Sequence, residues 1–189
     1  MKGTAGILLA VTAVLAGLLV FAFVEFRGGG DEGGGVRVGV RKAEAACSEA
    51  APQCLPRLTL LDHDGNAWTP EKLAGKVVVV NVWATWCKPC VTEIPDLVQV
   101  YKAYKDKDVV MLGVLDDNAD DATAVSFAAE RGINYPIVRM DDDLYRALDN
   151  PSKLPTTYVY DKSGHLRYGD SGKVTRAQMT KLLDELLAE

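Results

Sequence analysis

The sequence contains few histidines and no concentrated positive charge. Two histidines occur in 189 residues, and the formal net charge of −5 includes no basic block. Without such a block, nucleic acid is not an expected partner. The histidines, His63 and His165, fall in predicted exposed turns, so they are poor candidates for the further ligands that a zinc site needs beside a C-x-x-C pair. The sequence therefore predicts no metal site and no nucleic-acid partner.

Charge is absent altogether between Gly3 and Val24. This run, GTAGILLAVTAVLAGLLVFAFV, matches in length the ~20 apolar residues that a membrane-spanning helix needs. A cleaved signal peptide usually has a shorter apolar region that ends at a small-x-small site, and the end of this run lacks such a site. We expect residues 1–27 to form an uncleaved membrane anchor, with a cleaved signal peptide as the alternative.

The anchor predicts where the rest of the chain lies. Lys2 and the amino terminus favour a cytoplasmic N-terminus, which places the following residues in the periplasm or elsewhere outside the cytoplasm. Residues 27–35, RGGGDEGGG, are glycine-rich and indicate a flexible tether. We therefore expect a tether and extension over residues 28–53 and a globular domain over residues 54–189.

Four cysteines form two close pairs, Cys47 with Cys54 and Cys87 with Cys90. An extracytoplasmic compartment permits disulfide bonds. Nothing near the first pair indicates a lowered thiol pKa, so we favour a structural disulfide between Cys47 and Cys54. A second redox-active pair is the alternative.

Predicted strands alternate with predicted helices along the domain. Val77–Val82 is apolar apart from Asn81, which indicates a strand buried on both faces of a sheet. Helical spacing begins at Cys90, and Pro95 is expected to kink that helix. A terminal strand pair and a final helix complete the pattern. The sequence therefore predicts an α/β fold with a central mixed sheet flanked by helices.

The pair Cys87 and Cys90 closes a ring too small to stabilise the fold greatly. Such a pair can be oxidised and reduced at little cost to stability. Cys87 is expected at a helix N-terminus, where free N–H groups favour the thiolate, and Lys88 adds a nearby positive charge. Cys90 is expected one turn later, buried, as the resolving thiol. This arrangement is typical of thiol–disulfide exchange.

Two motifs carry a family resemblance. The segment WATWCKPC follows the valine strand, and LPTTYVYDKSGHL comes about 65 residues later. With these motifs, residues 55–189 resemble the thioredoxin superfamily, and within it the membrane-anchored TlpA/ResA/CcmG-type reductases. The resemblance implies a thioredoxin-like fold and an enzyme that reduces disulfides in partner proteins, such as those of cytochrome c maturation or copper-site assembly. It also implies a membrane electron donor and no dissociable cofactor.

The resemblance assigns roles to individual residues. Cys87 would attack the substrate disulfide and Cys90 would resolve the mixed disulfide. Pro155 resembles the cis-proline that faces the disulfide, and Leu154 and Trp86 would contact the substrate with it. A second tryptophan, at position 83, either flanks the site or belongs to the core.

Asn81 departs from the pattern of general thioredoxins, which usually carry a buried aspartate six residues before the first cysteine. An asparagine cannot titrate, so another acid would have to move the proton. By resemblance, Asp120 is the candidate, with Asp116 and Asp117 as substitutes. The competing interpretation of Asp120 is a helix cap.

Other activities on the same fold remain alternatives. A peroxiredoxin would need a Pro-x-x-x-Thr pattern before a lone cysteine, and the active-site segment lacks it. A Sco-type copper chaperone would need C-x-x-x-C and a suitably placed histidine, and neither is evident. A scaffold without turnover is the third alternative. The redox direction also stays open, because Lys88 and Pro89 favour a more oxidising pair while the resemblance implies reduction.

Overall fold

The computed structural model describes Cys47 and residues 53–189. The predicted anchor over residues 1–27 lies outside these residues, as does most of the predicted tether. In the part of the chain that the structure describes, no helix is both long enough and apolar enough to cross a membrane.

Residues 53–189 form seven strands and five helices. The strands are β1 (Leu60–Leu61), β2 (Ala67–Trp68), β3 (Val77–Trp83), β4 (Val109–Leu115), β5 (Ile137–Arg139), β6 (Thr156–Tyr160) and β7 (Leu166–Ser171). The helices are α1 (Pro70–Leu73), α2 (Lys88–Tyr104), α3 (Asp121–Arg131), α4 (Asp142–Ala147) and α5 (Arg176–Leu187).

Five of these strands make one mixed sheet in the order β5-β4-β3-β6-β7. Strands β3, β4 and β5 run parallel, while β6 is antiparallel to β3 and β7 is antiparallel to β6. The predicted mixed central sheet is therefore confirmed. All seven residues of β3 are buried, and so are all seven of β4, as expected of strands that are covered on both faces.

Alternate residues of β3 pack into two hydrophobic clusters, one on each face of the sheet. Val77 and Val79 pack on one face with residues of α2 and α5, including Leu97 and Leu183. The next residues along, including Val78, pack on the opposite face with residues of α1 and α4. This alternation follows from the two-residue period of a strand. It places Asn81 and Trp83 on the face that α2 covers.

The loop after β3 leads directly into α2, and this connection places the C-x-x-C pair. Cys87 is the N-cap of α2, and Pro89 lies in its first turn, where its missing N–H leaves no intrahelical hydrogen bond unmade. The helix then continues through Pro95 to Tyr104. The pair thus lies at the carboxyl end of the central strand.

The extension before β1 attaches to the hairpin between β6 and β7. Cys47 and Cys54 form a disulfide with an S–S distance of 1.96 Å. Cys54 makes a β-bridge with His165, and the Leu55 N–H donates to the Gly164 carbonyl at 2.8 Å. The bond joins the expected cysteines and holds residue 47 beside the folded domain.

Candidate active site

Cys87 and Cys90 are joined by a disulfide with an S–S distance of 1.98 Å and a Cα–Cα distance of 5.3 Å. The Cys90 N–H donates a hydrogen bond to the Cys87 sulfur at 3.3 Å. Cys87 is 4% exposed and Cys90 is fully buried. Upon reduction, the N–H groups of the first helical turn would favour a thiolate at Cys87. The geometry therefore suits an attacking thiol at Cys87 and a shielded partner at Cys90.

The two tryptophans near the pair have opposite environments. Trp86 is 68% exposed, directly before Cys87, whereas Trp83 is 1% exposed. The Trp83 ring stacks on Phe127 of α3 with a centroid distance of 5.5 Å. Trp86 can therefore meet a partner protein, and Trp83 belongs to the core around the cysteines.

The loop before β6 also reaches the cysteine pair. The Leu154–Pro155 peptide bond is cis, as the resemblance implied for Pro155. Leu154 is half-buried and packs against the apolar cluster that contains Cys87 and Cys90. The structure thus brings this loop and the pair together, while contact of Leu154 and Pro155 with a substrate stays a prediction.

A buried polar cluster lies on the α2 face of the sheet. Asn81 donates from Nδ2 to the Glu93 Oε1 atom at 2.8 Å and to the Thr157 hydroxyl at 3.0 Å. The backbone N–H of Val174 donates to the other Glu93 carboxylate oxygen at 3.0 Å. Glu93 is 0% exposed and lies one helical turn beyond Cys90. The non-titrating Asn81 therefore contacts a titratable carboxyl.

Burial raises the pKa of Glu93 above its ordinary value near 4.5. The hydrogen bonds from Val174 and Asn81, and the positive charge of Lys173, act in the opposite direction but do not offset the loss of hydration. Glu93 can therefore take up or release a proton closer to neutral pH than an exposed glutamate can.

Sequence reasoning missed Glu93, although a signal was present. The apolar stripe of α2 includes Ile94 and Leu97, and a residue three positions after Cys90 lies on that same side. A charged residue at such a position is a candidate for a buried functional group, because burial of an unpaired glutamate is rare.

Asp120 is exposed and caps α3, accepting a hydrogen bond from the Thr123 N–H at 2.7 Å. That hydrogen bond holds the pKa of the Asp120 carboxyl below its ordinary value. The helix-cap interpretation is confirmed by this geometry. The proton-transfer role of Asp120 stays a prediction, and the structure gives it no contact with either active-site cysteine within the described residues.

The other two acidic candidates lie at the carboxyl end of β4. Asp117 accepts hydrogen bonds from both the N–H and the hydroxyl of Thr85, each at 2.8 Å. Burial raises the pKa of Asp117, but these hydrogen bonds, together with one from the Ala119 N–H, outweigh it and the net pKa is lowered. Burial raises the pKa of Asp116, and the nearby charge of Asp117 raises it further. Asp117 thus anchors the loop that carries Cys87.

Within residues 53–189 and Cys47, no group of three or more histidine, cysteine, aspartate or glutamate side chains is placed to hold a metal ion.

Comparison with known proteins identifies the family. Residues 51–169 match the AhpC/TSA family. The chain belongs to this family. Over 132 residues it is 33% identical to the thiol-disulfide oxidoreductase ResA of Geobacillus kaustophilus. This match covers 69% of this chain and 75% of that protein. It is also 30% identical over 171 residues to the thioredoxin-like protein YneN of Bacillus subtilis, with 90% and 96% of the two chains covered.

A solved structure agrees with these relatives. The chain is similar to a thiol:disulfide interchange protein of the thioredoxin family from Chlorobium tepidum, with a TM-score of 0.67 and 29% identity. The similarity covers 74% of this chain and 99% of that one. The thioredoxin-like α/β fold and the enzyme class, a thiol–disulfide oxidoreductase of the ResA type, are thereby confirmed as predicted from the sequence.

Proposed function

We propose that this oxidoreductase is a membrane-anchored reductase that acts on disulfides of partner proteins outside the cytoplasm. The observation that carries the proposal is the environment of the pair: Cys87 caps helix α2 directly after the exposed Trp86, and Cys90 is fully buried one turn before Glu93. Such a pair has one nucleophile at a helix N-terminus, beside an exposed residue, and one fully buried thiol that reacts only with its neighbour.

The reaction has two exchange steps. The Cys87 thiolate attacks one sulfur of the substrate disulfide, and the second substrate sulfur leaves as a thiolate with the bonding electron pair. The Cys90 thiolate then attacks the Cys87 sulfur in this mixed disulfide and displaces the first substrate sulfur. The substrate gains two electrons, and the enzyme ends in the disulfide form that the structure shows.

Glu93 suits the proton step between these two exchanges. Cys90 must lose its proton before it can attack, and it is buried, so water has poor access to it. A carboxylate with a raised pKa, one helical turn away, is a suitable acceptor for that proton. We assign this role to Glu93 in place of the exposed Asp120.

Substrate contact would involve the exposed ring of Trp86 and the loop with Leu154 and Pro155, which packs beside the pair. A partner chain that approaches Cys87 would meet both features. Reduced thiols of apocytochrome c or of copper-binding proteins are the products that the family resemblance suggests. A membrane electron donor would then return the Cys87–Cys90 disulfide to the dithiol.

The test is a midpoint potential of the Cys87–Cys90 couple in a glutathione series, together with reduction of insulin by the reduced domain. We expect insulin reduction, with a potential well below the value of about −120 mV that is typical of a strong oxidant. A potential near that value would overturn the reductase direction. A Cys87→Ser variant should lose insulin reduction, and Cys90→Ser should accumulate the mixed disulfide.

The copper-chaperone alternative has its own measurement. The reduced domain would be titrated with Cu(I) and assayed in parallel for insulin reduction. Tight stoichiometric copper binding without any reductase activity would favour the chaperone and contradict the proposal.

A further inference from the structure

Two buried polar groups near Glu93 lack a partner. Among the described residues, no protein atom accepts a hydrogen bond from the Trp83 indole nitrogen, and none pairs with the Tyr135 hydroxyl. Trp83 is 1% exposed and Tyr135 is 3% exposed. A buried donor without a partner costs about 1–3 kcal/mol. Each of these two donors therefore needs a physical explanation.

Both groups lie over the same glycine. A Cβ atom at Gly113 would lie 3.0 Å from the Trp83 indole nitrogen and 2.9 Å from the Cε2 atom of Tyr135. Both distances are too short for an ordinary contact, so only glycine lets the indole and the phenol ring approach the β4 backbone this closely. The lack of a side chain at Gly113 thus brings the Trp83 indole nitrogen and the ring that carries the Tyr135 hydroxyl to the same part of β4.

The strand register connects this place to Glu93. Gly113 of β4 is the register partner of Asn81 of β3, and Asn81 donates to the Glu93 carboxylate at 2.8 Å. Tyr135 also meets α2, the helix of Glu93, since its ring makes an edge contact with Tyr101 at a centroid distance of 6.1 Å. The indole nitrogen, the Tyr135 ring and the Asn81–Glu93 pair therefore lie on the same face of the sheet, next to α2, and the charge of Glu93 acts on Tyr135.

Trp83 extends this cluster toward the reacting sulfurs. It packs in the apolar cluster that also contains Cys87 and Cys90. Trp83 therefore belongs both to the surroundings of the cysteine pair and to the group of side chains over Gly113.

Glu93 itself has room for a further hydrogen bond. Its Oε1 atom accepts from Asn81 and its Oε2 atom accepts from Val174. An ionised carboxylate offers about four acceptor sites on its two oxygens. A water molecule in a polar interior usually makes two to four hydrogen bonds to groups that would otherwise be unsatisfied. One water could accept from the two donors and donate to Glu93.

We propose that Trp83 and Tyr135 hold an internal water molecule against the Glu93 carboxyl, and that Tyr135 is thereby a positioning residue for the proton step at Cys90. The role of Tyr135 in the proton step rests on the proposed function. The presence of the water does not, because it can be measured in the oxidised protein without any reaction.

The direction of the effect on Glu93 follows from the donors. Donors that are relayed by a water favour the charged carboxylate, so loss of the Tyr135 hydroxyl raises the pKa of Glu93 further. Three other titratable groups interact electrostatically with Glu93. Lys173 and Asp96 act on its carboxyl, and Glu93 acts on the hydroxyl of Tyr168. A Tyr135→Phe substitution leaves all three in place.

The experiment titrates Glu93 by NMR in the oxidised domain with ¹³C-labelled glutamate, in the parent protein and in Tyr135→Phe. Tyr158→Phe is the matched control, because it removes a hydroxyl bound to the Leu148 carbonyl at 2.8 Å on the opposite face of the sheet. We expect the Glu93 pKa to rise by roughly half to one pH unit in Tyr135→Phe only. We also expect a water–indole NOE at Trp83 in the parent protein that weakens in Tyr135→Phe.

Two results would each overturn the inference: an unchanged Glu93 pKa in Tyr135→Phe, or no long-lived water at the Trp83 indole N–H. Neither measurement needs substrate turnover. Failure of the water site is therefore distinguishable from failure of the reductase proposal, which the insulin assay tests separately. In a reductase, Tyr135→Phe should also move the pH profile of the resolving step to higher pH by the same amount.

Discussion

Asn81 and Glu93 are joined by a 2.8 Å hydrogen bond between the central strand and helix α2, on the side of the sheet that carries the cysteine pair. The asparagine occupies the position at which general thioredoxins usually have an aspartate. Because an amide cannot titrate, the acid of this pair is the glutamate on the helix. The hydrogen bond thus explains how the chain can lack an acid on β3 and still have a buried carboxyl near Cys90.

Replacing Glu93 with glutamine should slow resolution of the mixed disulfide by about 100-fold, since general-base catalysis typically contributes at least that much. Formation of the mixed disulfide at Cys87 should change far less. Stopped-flow measurement of the two phases with a model disulfide distinguishes these steps. Glu130→Gln is a suitable control, because it makes the same chemical change at an exposed position of α3. Equal slowing of both phases in Glu93→Gln would contradict the assignment.

The raised pKa of Glu93 also predicts a pH-dependent stability. A carboxyl whose folded pKa lies above its unfolded value contributes its full stability below the unfolded pKa, near 4.5, and loses it as pH rises through the folded pKa. The free energy of unfolding should therefore fall with rising pH above about 4.5 in the parent protein relative to Glu93→Gln. Urea denaturation across this range measures the difference. Parallel curves for the two proteins would show that Glu93 titrates normally.

Asp120 offers a contrasting test of the proton step. Asp120→Asn retains a side-chain oxygen that can cap α3 but removes the titratable group. We expect resolution rates within about threefold of the parent protein, far less than the loss of a general base produces. Asp120→Ala should lower the melting temperature slightly through loss of the cap. A large rate loss in Asp120→Asn would restore the role that sequence resemblance suggested.

Much of this site could be predicted from the sequence, and the missing part has a physical reason. The valine run of β3, the helix that Cys87 caps and the cap at Asp120 are local patterns. Each depends on residues that are close in sequence, and the structure contains each of them. The contact between Asn81 and Glu93 depends instead on how α2 packs against the sheet. Helical spacing places Glu93 on the buried side, but a charged residue is ordinarily assigned to solvent.

The loop that carries Cys87 is held by another contact between residues far apart in sequence, that of Asp117 with Thr85. Asp117 accepts two hydrogen bonds from Thr85, two residues before the nucleophile. Asp117→Ala leaves a part-buried N–H and hydroxyl unpaired, so we expect a loss of about 1–3 kcal/mol in the free energy of unfolding. In the reduced protein, Cys87 should also react more slowly with iodoacetamide, because its loop no longer holds it at the helix N-terminus that favours the thiolate. Asp121→Ala, which removes a surface ion pair with Arg139, is the control.

An alkylation rate in Asp117→Ala equal to that of the parent protein would show that the loop holds its conformation without this anchor. The pH dependence has a definite sign as well. Because the folded pKa of Asp117 is lowered, its contribution to stability is present above the unfolded pKa and is lost as pH falls through the folded value. Stability differences between Asp117→Ala and the parent protein should therefore shrink in acid.

The disulfide between Cys47 and Cys54 provides the last test, because its structural and redox interpretations predict different results. The bond closes a short loop with a sequence separation of 7. Cross-links of that length stabilise a fold by about 2 kcal/mol through loss of unfolded-chain entropy. A Cys47→Ser/Cys54→Ser double variant should therefore unfold at lower urea concentration, yet reduce insulin at the parental rate through the intact Cys87–Cys90 pair. Loss of turnover in the double variant, with little change in stability, would instead indicate that the first pair passes electrons to the second.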